Sequence, residues 1–132
     1  GTARIGLTEI QVGVLFPAWG LEIARFATPS QYFPELACAG RTYSADESLA
    51  RGLVDELADP EQLLDRARQI AGELGGIPTA KFKATKLAVR RPMIEAARKQ
   101  AALTDAAVFD DWCSPETQQS ITAFFERTVK RA

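Results

Sequence analysis

The sequence predicts a mostly helical α/β chain with few short strands, reading as the closing part of a larger fold. Three observations carry this. From Pro78 onward the pattern is helical almost to the C-terminus, with Ser114-Pro115 starting a final helix. Strand-like segments are few and short, one in the first residues and one at Leu53 to Leu57, and neither has an obvious partner. Isolated strands leave backbone donors and acceptors unpaired, so their partners are expected elsewhere.

The elements follow in order. The first fifteen residues are rich in Val, Ile and Leu, with Gly6 and Gly13 as punctuation, and read as a short strand and a loop. A helix enters near Pro17, where proline is tolerated in a first turn, and continues through Trp19, Leu21, Ile23, Ala24 and Phe26 to Pro29. A short helix is expected over Pro34 to Ala39, with Gly40 at its C-terminal cap. Ser44-Ala-Asp-Glu47 has capping-box spacing, opening a short helix that Gly52 ends. Leu53 to Leu57 alternates like an edge strand. Asp59-Pro60-Glu61-Gln62 starts a helix carrying Leu63, Leu64, Ala67, Ile70, Ala71 and Leu74, which Gly75-Gly76 stops. Pro92 punctuates the long segment after Pro78. The last helix shows an apolar stripe of Ile121, Phe124, Phe125 and Val129.

Composition narrows the chemistry. The 132 residues are 46% hydrophobic and 25% charged, ordinary for one globular domain, and the net charge of −1 argues against a nucleic-acid partner. No apolar run approaches the ~20 residues of a membrane span, and no signal-peptide pattern opens the chain. Cys38 and Cys113 are far apart and lack metal-ligand spacing, so both are expected reduced, in a reducing, cytoplasmic setting, with no metal site. With no histidine, Ser-His-Asp, Cys-His and His-Glu-x-x-His arrangements are excluded. Proton chemistry falls to carboxylates, lysines or tyrosines.

Glu9 is the single carboxylate in the apolar stretch from Arg4 to Trp19. A lone acid among Ile5, Leu7, Ile10, Val12 and Val14 is either turned to solvent or kept for chemistry, because an ionised carboxylate is costly to bury. Burial disfavours a carboxylate's charged form, which is how general bases are tuned.

Three blocks in register, Ile5-Gly-Leu-Thr-Glu-Ile-Gln-Val-Gly13, Gly40-Arg-Thr-Tyr-Ser-Ala-Asp-Glu47 and Gly52-Leu-Val-Asp-Glu-Leu57, closely resemble the C-terminal half of the crotonase superfamily, which includes enoyl-CoA hydratases and isomerases. The resemblance covers essentially the whole chain. It implies a crotonase-like fold, C-terminal part only, with residues 1–57 ending the spiral core and 58–132 forming a helical oligomerisation region. It implies an acyl-CoA substrate and no further cofactor. Glu9 matches the acid of a Gly-Leu-Pro-Glu-like motif facing the reacting carbons, with Thr8 replacing the common proline.

Typical hydratases place water with two glutamates and follow the second with a Pro-Gly-Ala-Gly-Gly-like stretch. Phe16-Pro-Ala-Trp19 stands there instead. This looks more like the Δ3,Δ2-enoyl-CoA isomerases, in which one glutamate carries a proton between C2 and C4. An apolar wall of Phe16 and Trp19 would exclude the water that hydration needs, although core packing explains the same rings. Thr8 matches a substrate-touching position in the isomerases, and is also an ordinary strand-promoting residue. In the family the CoA-binding loop, both oxyanion donors and the second hydratase glutamate precede the matched region, so the chain alone is expected to be nearly inactive. Hydration, and a non-catalytic CoA-binding or oligomerisation module with a vestigial Glu9, are the alternatives.

Between Thr79 and Lys99 seven basic residues face only Glu95. Lys83, Lys86 and Arg90 share a helical face that either contacts the phosphates of CoA or is simply solvated. The C-terminal stripe suits packing, and the resemblance implies a homo-oligomer, a trimer or a dimer of trimers.

Overall fold

Gly6 decides where the N-terminal strand can pair. The computed structural model describes residues 3–128. In it β1 (Ile5–Gly6) runs antiparallel to β2 (Thr42–Tyr43), with Ile5 opposite Tyr43 and Gly6 opposite Thr42. A Cβ on Gly6 would sit 2.5 Å from the Arg41 carbonyl oxygen, so only glycine lets the two backbones meet. Arg4 reinforces the ladder, its Nε donating to Thr42 Oγ1 at 2.8 Å.

This pairing corrects two expectations. The N-terminal strand does have a partner in the chain. The second strand is Thr42–Tyr43, whereas Leu53 to Leu57 turns and bends. The reason lies in how the preceding helix, α4 (Ala45–Ala50), ends. Gly52 adopts φ 68, its N–H donates to Leu49 O at 3.0 Å, and Leu53 N–H reaches back to Ser48 O at 2.9 Å. That left-handed closure turns the backbone aside. Glu56 is then held by Arg66, whose Nε and Nη2 donate at 2.6 and 2.8 Å.

A third correction concerns residues 9–12, expected as loop. They form a single helical turn, α1 (Glu9–Val12), ended by Gly13 at φ 83. The remaining helices are α2 (Ala18–Ala27), α3 (Phe33–Ala39), α5 (Leu63–Gly75), α6 (Thr79–Trp112) and α7 (Pro115–Thr128). Pro92 does not interrupt α6. It removes one backbone donor, but α2 packs alongside, with Glu22, Arg25 and Phe26 flanking Pro92, Met93 and Ala96. At the other end Ala18 N–H donates to Asp105 Oδ1 at 3.0 Å, so the two helices run antiparallel. An acidic group at the first turn of α2 complements the helix dipole.

Caps expected from the sequence recur in space. Ser44 Oγ accepts from Glu47 N–H, and Glu47 Oε2 accepts from Ser44 N–H at 2.8 Å. Ser114 Oγ accepts from Thr117 N–H at 3.1 Å at the start of α7. The bonds from Ser44 hold the Glu47 carboxyl below its ordinary value of 4.5. A depressed folded value means the cap's contribution is present above pH 4.5 and fades as pH falls through the folded value. Glu47→Gln, which keeps a cap acceptor without a proton to gain, should therefore flatten the acid limb of the unfolding curve. Chemical denaturation from neutral to acid pH checks this.

The core is small. Among the described residues, Val14, Ala18, Phe33, Leu36, Ala37, Tyr43, Ala97 and Val108 are the buried apolar ones. Along α5 and the first half of α6 nearly every residue is exposed, including Leu63, Leu64, Leu74, Leu87 and Val89. The accessible surface is 9782 Å² for 14.4 kDa, against about 6,800 Å² for a compact monomer of that mass. Apolar helix faces therefore stand without partners among the described residues. In the C-terminal stripe Ile121 and Phe124 are half-buried and Phe125 is exposed, while Val129 lies outside the described residues. Cys38 and Cys113 are free thiols, both exposed. No helix among the described residues is long and apolar enough to cross a membrane.

Candidate active site

The antiparallel pair and α1 together set Glu9. The chain leaves β1 at Gly6, passes Leu7 and Thr8, and enters α1 with Glu9 as its first residue. Thr8 gives its carbonyl to the N–H groups of Gln11 and Val12 at 2.9 and 3.0 Å, while its side chain makes no cap bond. The Glu9 carbonyl accepts from both Gly13 and Val14 at 3.0 Å, closing the turn. α1 is flanked by α3 and α7.

The Glu9 side chain is not turned out to water. The residue is half-buried, and Oε2 is fully shielded with no hydrogen-bond partner among the described residues. Buried acceptors are nearly always satisfied in native proteins, so an unsatisfied carboxylate oxygen calls for a reason beyond packing. A carboxylate with free lone pairs in a shielded position is competent to accept a proton.

The other residues singled out from sequence fall in three places. Thr8 adjoins Glu9 and is half-buried. Phe16 and Trp19 lie beyond Gly13, at the entry to α2. The Phe16 ring lies against Gly20, 3.6 Å from where a Cβ there would be, and Trp19 keeps 39% of its surface exposed. Lys83, Lys86 and Arg90 are exposed along α6, with the Lys86 ammonium 5.5 Å from the Phe82 ring centroid. They stand on a different element from Glu9, and the structure does not bring them to it.

Sequence reasoning missed an apolar groove of about 520 Å³ between the start of α2, the end of α6 and α7. Pro17, Val108, Phe109 and Trp112 supply its hydrocarbon, with Asp105, Cys113 and Gln118 beside them. Trp112 ties it to the segment after α1 by donating from Nε1 to Leu15 O at 2.7 Å. Its size is that of a small-molecule site. No sequence signal marks it, because its walls come from residues ninety apart. In a second, polar cleft at Glu56, Leu57, Asp59 and Arg66, the Glu56 carboxylate and the Arg66 guanidinium are engaged with each other. Arg66 holds the Glu56 carboxyl below the usual carboxylate range, and Glu56 raises the guanidinium in turn.

Tyr43 is buried in β2, with the Arg51 guanidinium 4.3 Å from its ring centroid. Burial first, and the Glu35 carboxylate second, push its phenol up. It therefore stays protonated and is a poor acid–base catalyst at neutral pH.

Comparison with known proteins gives a consistent result. The family model described as enoyl-CoA hydratase/isomerase matches residues 1–131. A putative enoyl-CoA hydratase of Thermus thermophilus is 30% identical over 132 residues, covering 98% of this chain and 51% of that protein. The crystal structure of an enoyl-CoA hydratase/isomerase from Pseudoalteromonas atlantica superposes with a TM-score of 0.80 at 25% identity, covering 96% of this chain and 51% of that one. The Mtb enoyl-CoA isomerase in its apo form superposes with a TM-score of 0.71 at 28% identity over 76% of this chain and 45% of its own. The chain thus spans about half the length of the relatives it matches. The crotonase-like fold expected from the three sequence blocks is the fold observed.

Proposed function

The chain belongs to the enoyl-CoA hydratase/isomerase family, and we propose that the full-length protein moves a proton at the carbon alpha to an acyl-CoA thioester, with Glu9 as the acid–base group. The observation that carries this is the shielded Oε2 of Glu9, without a partner among the described residues and held at the entry to α1. A proton alpha to a thioester becomes removable when the enolate oxygen is held by backbone N–H groups and a base lies within hydrogen-bond reach. In isomerisation the carboxylate takes the proton from C2 of a 3-enoyl thioester, the double bond shifts, and the same group returns the proton at C4. The pair freed at C2 is delocalised onto the thioester oxygen as a dienolate and then bonds the returning proton at C4, so nothing is gained or lost overall and one carboxylate suffices. Thr8 borders the substrate beside it. Phe16 and Trp19, in place of a glycine-rich stretch, favour isomerisation over hydration because aromatic bulk leaves less room for water.

Hydration is the second reading, favoured by the names of the relatives, among them a short-chain-enoyl-CoA hydratase of Clostridium acetobutylicum. The two separate in one assay of the full-length protein. Conversion of 3-enoyl-CoA without uptake of solvent oxygen supports isomerisation. Formation of 3-hydroxyacyl-CoA from 2-enoyl-CoA as the faster reaction replaces it with hydration.

Two further assignments go with this reading. Lys83, Lys86 and Arg90 contact CoA phosphates, supported by their exposure on one face of α6. Replacing all three by glutamine should weaken CoA binding about tenfold at low salt and flatten its salt dependence. Titration calorimetry at two ionic strengths measures both. The protein self-associates through its helical region, as a trimer or a dimer of trimers, supported by the exposed apolar faces of α5, α6 and α7.

A further inference from the structure

We infer that Gln11 is a positioning residue whose carboxamide clasps α1 to the end of α3 and so fixes where the Glu9 carboxylate stands. The inference rests on the reading of Glu9 above. α1 has four residues and no side-chain N-cap bond. One isolated helical turn is unstable in water, so its orientation must come from what it is fastened to.

The fastening is at Gln11. Its Nε2 donates to Gly40 O at 2.8 Å and lies 3.4 Å from Ala39 O. Those carbonyls end α3, where helix acceptors have no intrahelical donor, so the carboxamide caps α3 while holding α1. Contact there is close: a Cβ on Gly40 would come within 2.8 Å of Gln11 Cγ and 2.9 Å of Ile10 Cγ2. Gly40 also adopts φ 62. α1 therefore rests directly on the backbone at the start of the approach to β2.

The other end of the same segment is already fixed, because Gly6 is paired with Thr42. Residues 6–11 and 40–42 thus close a small ring, tied by the strand ladder on one side and by Gln11 on the other. Glu9 sits on that ring. No polar group of the described residues holds its Oε2, so its position depends on the packing around it and on the backbone that carries it. Cutting the Gln11 tie leaves the turn hinged at the ladder.

The test uses the full-length protein and Gln11→Met, which keeps side-chain length and removes the donor. We expect kcat for acyl-CoA turnover to fall about 10- to 100-fold with KM within about twofold, since misaiming a base by an ångström acts on the chemical step. Amide exchange at Gly13 and Val14, whose N–H groups bond Glu9 O, should accelerate at least about tenfold by local opening. Gln11→Lys, which restores a donor toward the same carbonyls, should return both readings most of the way. Should Gln11→Met fail to fold, Gln11→Leu, which also lacks the donor, is read in the same way. Unchanged kcat and unchanged exchange in a variant lacking the donor overturn the clasp while leaving Glu9 in place. If Glu9→Gln keeps full turnover, the reading of the site fails instead, and exchange at Gly13 and Val14 still decides whether Gln11 fastens α1.

Discussion

Glu9→Gln should lower the turnover of the full-length protein with acyl-CoA by about 10²- to 10⁴-fold, the range that general acid–base catalysis supplies. The substitution keeps shape and removes only the capacity to take a proton. Substrate binding owes little to that capacity, so KM should change little while kcat carries the loss. Stability should not carry it. The Glu9 Oε2 has no hydrogen-bond partner among the described residues, so no bond to it is lost when an amide takes its place. Against that, an acid in the first turn of α1 gains modestly from the helix dipole. That gain is small, and the melting temperature should stay within about 3 °C of the parent. Glu9→Asp is the complementary variant. It keeps the acid and withdraws it by one methylene, so it should lose about 10²-fold in kcat. Steady-state kinetics with 3-enoyl-CoA and 2-enoyl-CoA decide the matter, and Glu9→Gln at parental rate would move the chemistry to another residue.

The second large effect is on the ring that holds Glu9. Gly6→Ala should destabilise by about 3 kcal/mol or prevent folding, because the new Cβ would lie 2.5 Å from Arg41 O and 2.9 Å from Thr42 Cα. Both are backbone atoms of the partner strand or of the residue that leads into it, and they retreat only by separating the ladder. Gly40→Ala combines a left-handed φ of 62 with a Cβ within 2.9 Å of two side-chain carbons. The backbone strain alone costs about 1–2 kcal/mol. Gly72 gives the contrast: it lies inside α5 with nothing within 4 Å of an added Cβ. Gly72→Ala should stabilise by about 0.5–1 kcal/mol. Denaturant unfolding of the three variants should rank them Gly72→Ala, Gly40→Ala, Gly6→Ala from most to least stable. Equal stabilities would show that the ring is not held as described.

Signals closed within a few residues are legible in the sequence itself. The Ser44 and Ser114 caps and the Gly40 and Gly52 stops stand where their local patterns place them, because donor and acceptor are near neighbours in the chain. Glu9 stands out the same way, as a lone charge in an apolar context, and the three spaced blocks carry the family. Tertiary structure alone decides the rest. Whether two residues form a strand depends on a partner: Thr42–Tyr43 finds one at Ile5–Gly6, across nearly forty residues, and the more strand-like Leu53 to Leu57 does not. α6 continues through Pro92 with α2 beside it, and the groove at Trp112 exists only because Pro17 arrives there. Glu9 gains its address from Gly40 and Gln11, whose meeting no local pattern announces. Short-range hydrogen bonds are written in neighbouring residues, whereas pairing and burial depend on which distant surface arrives.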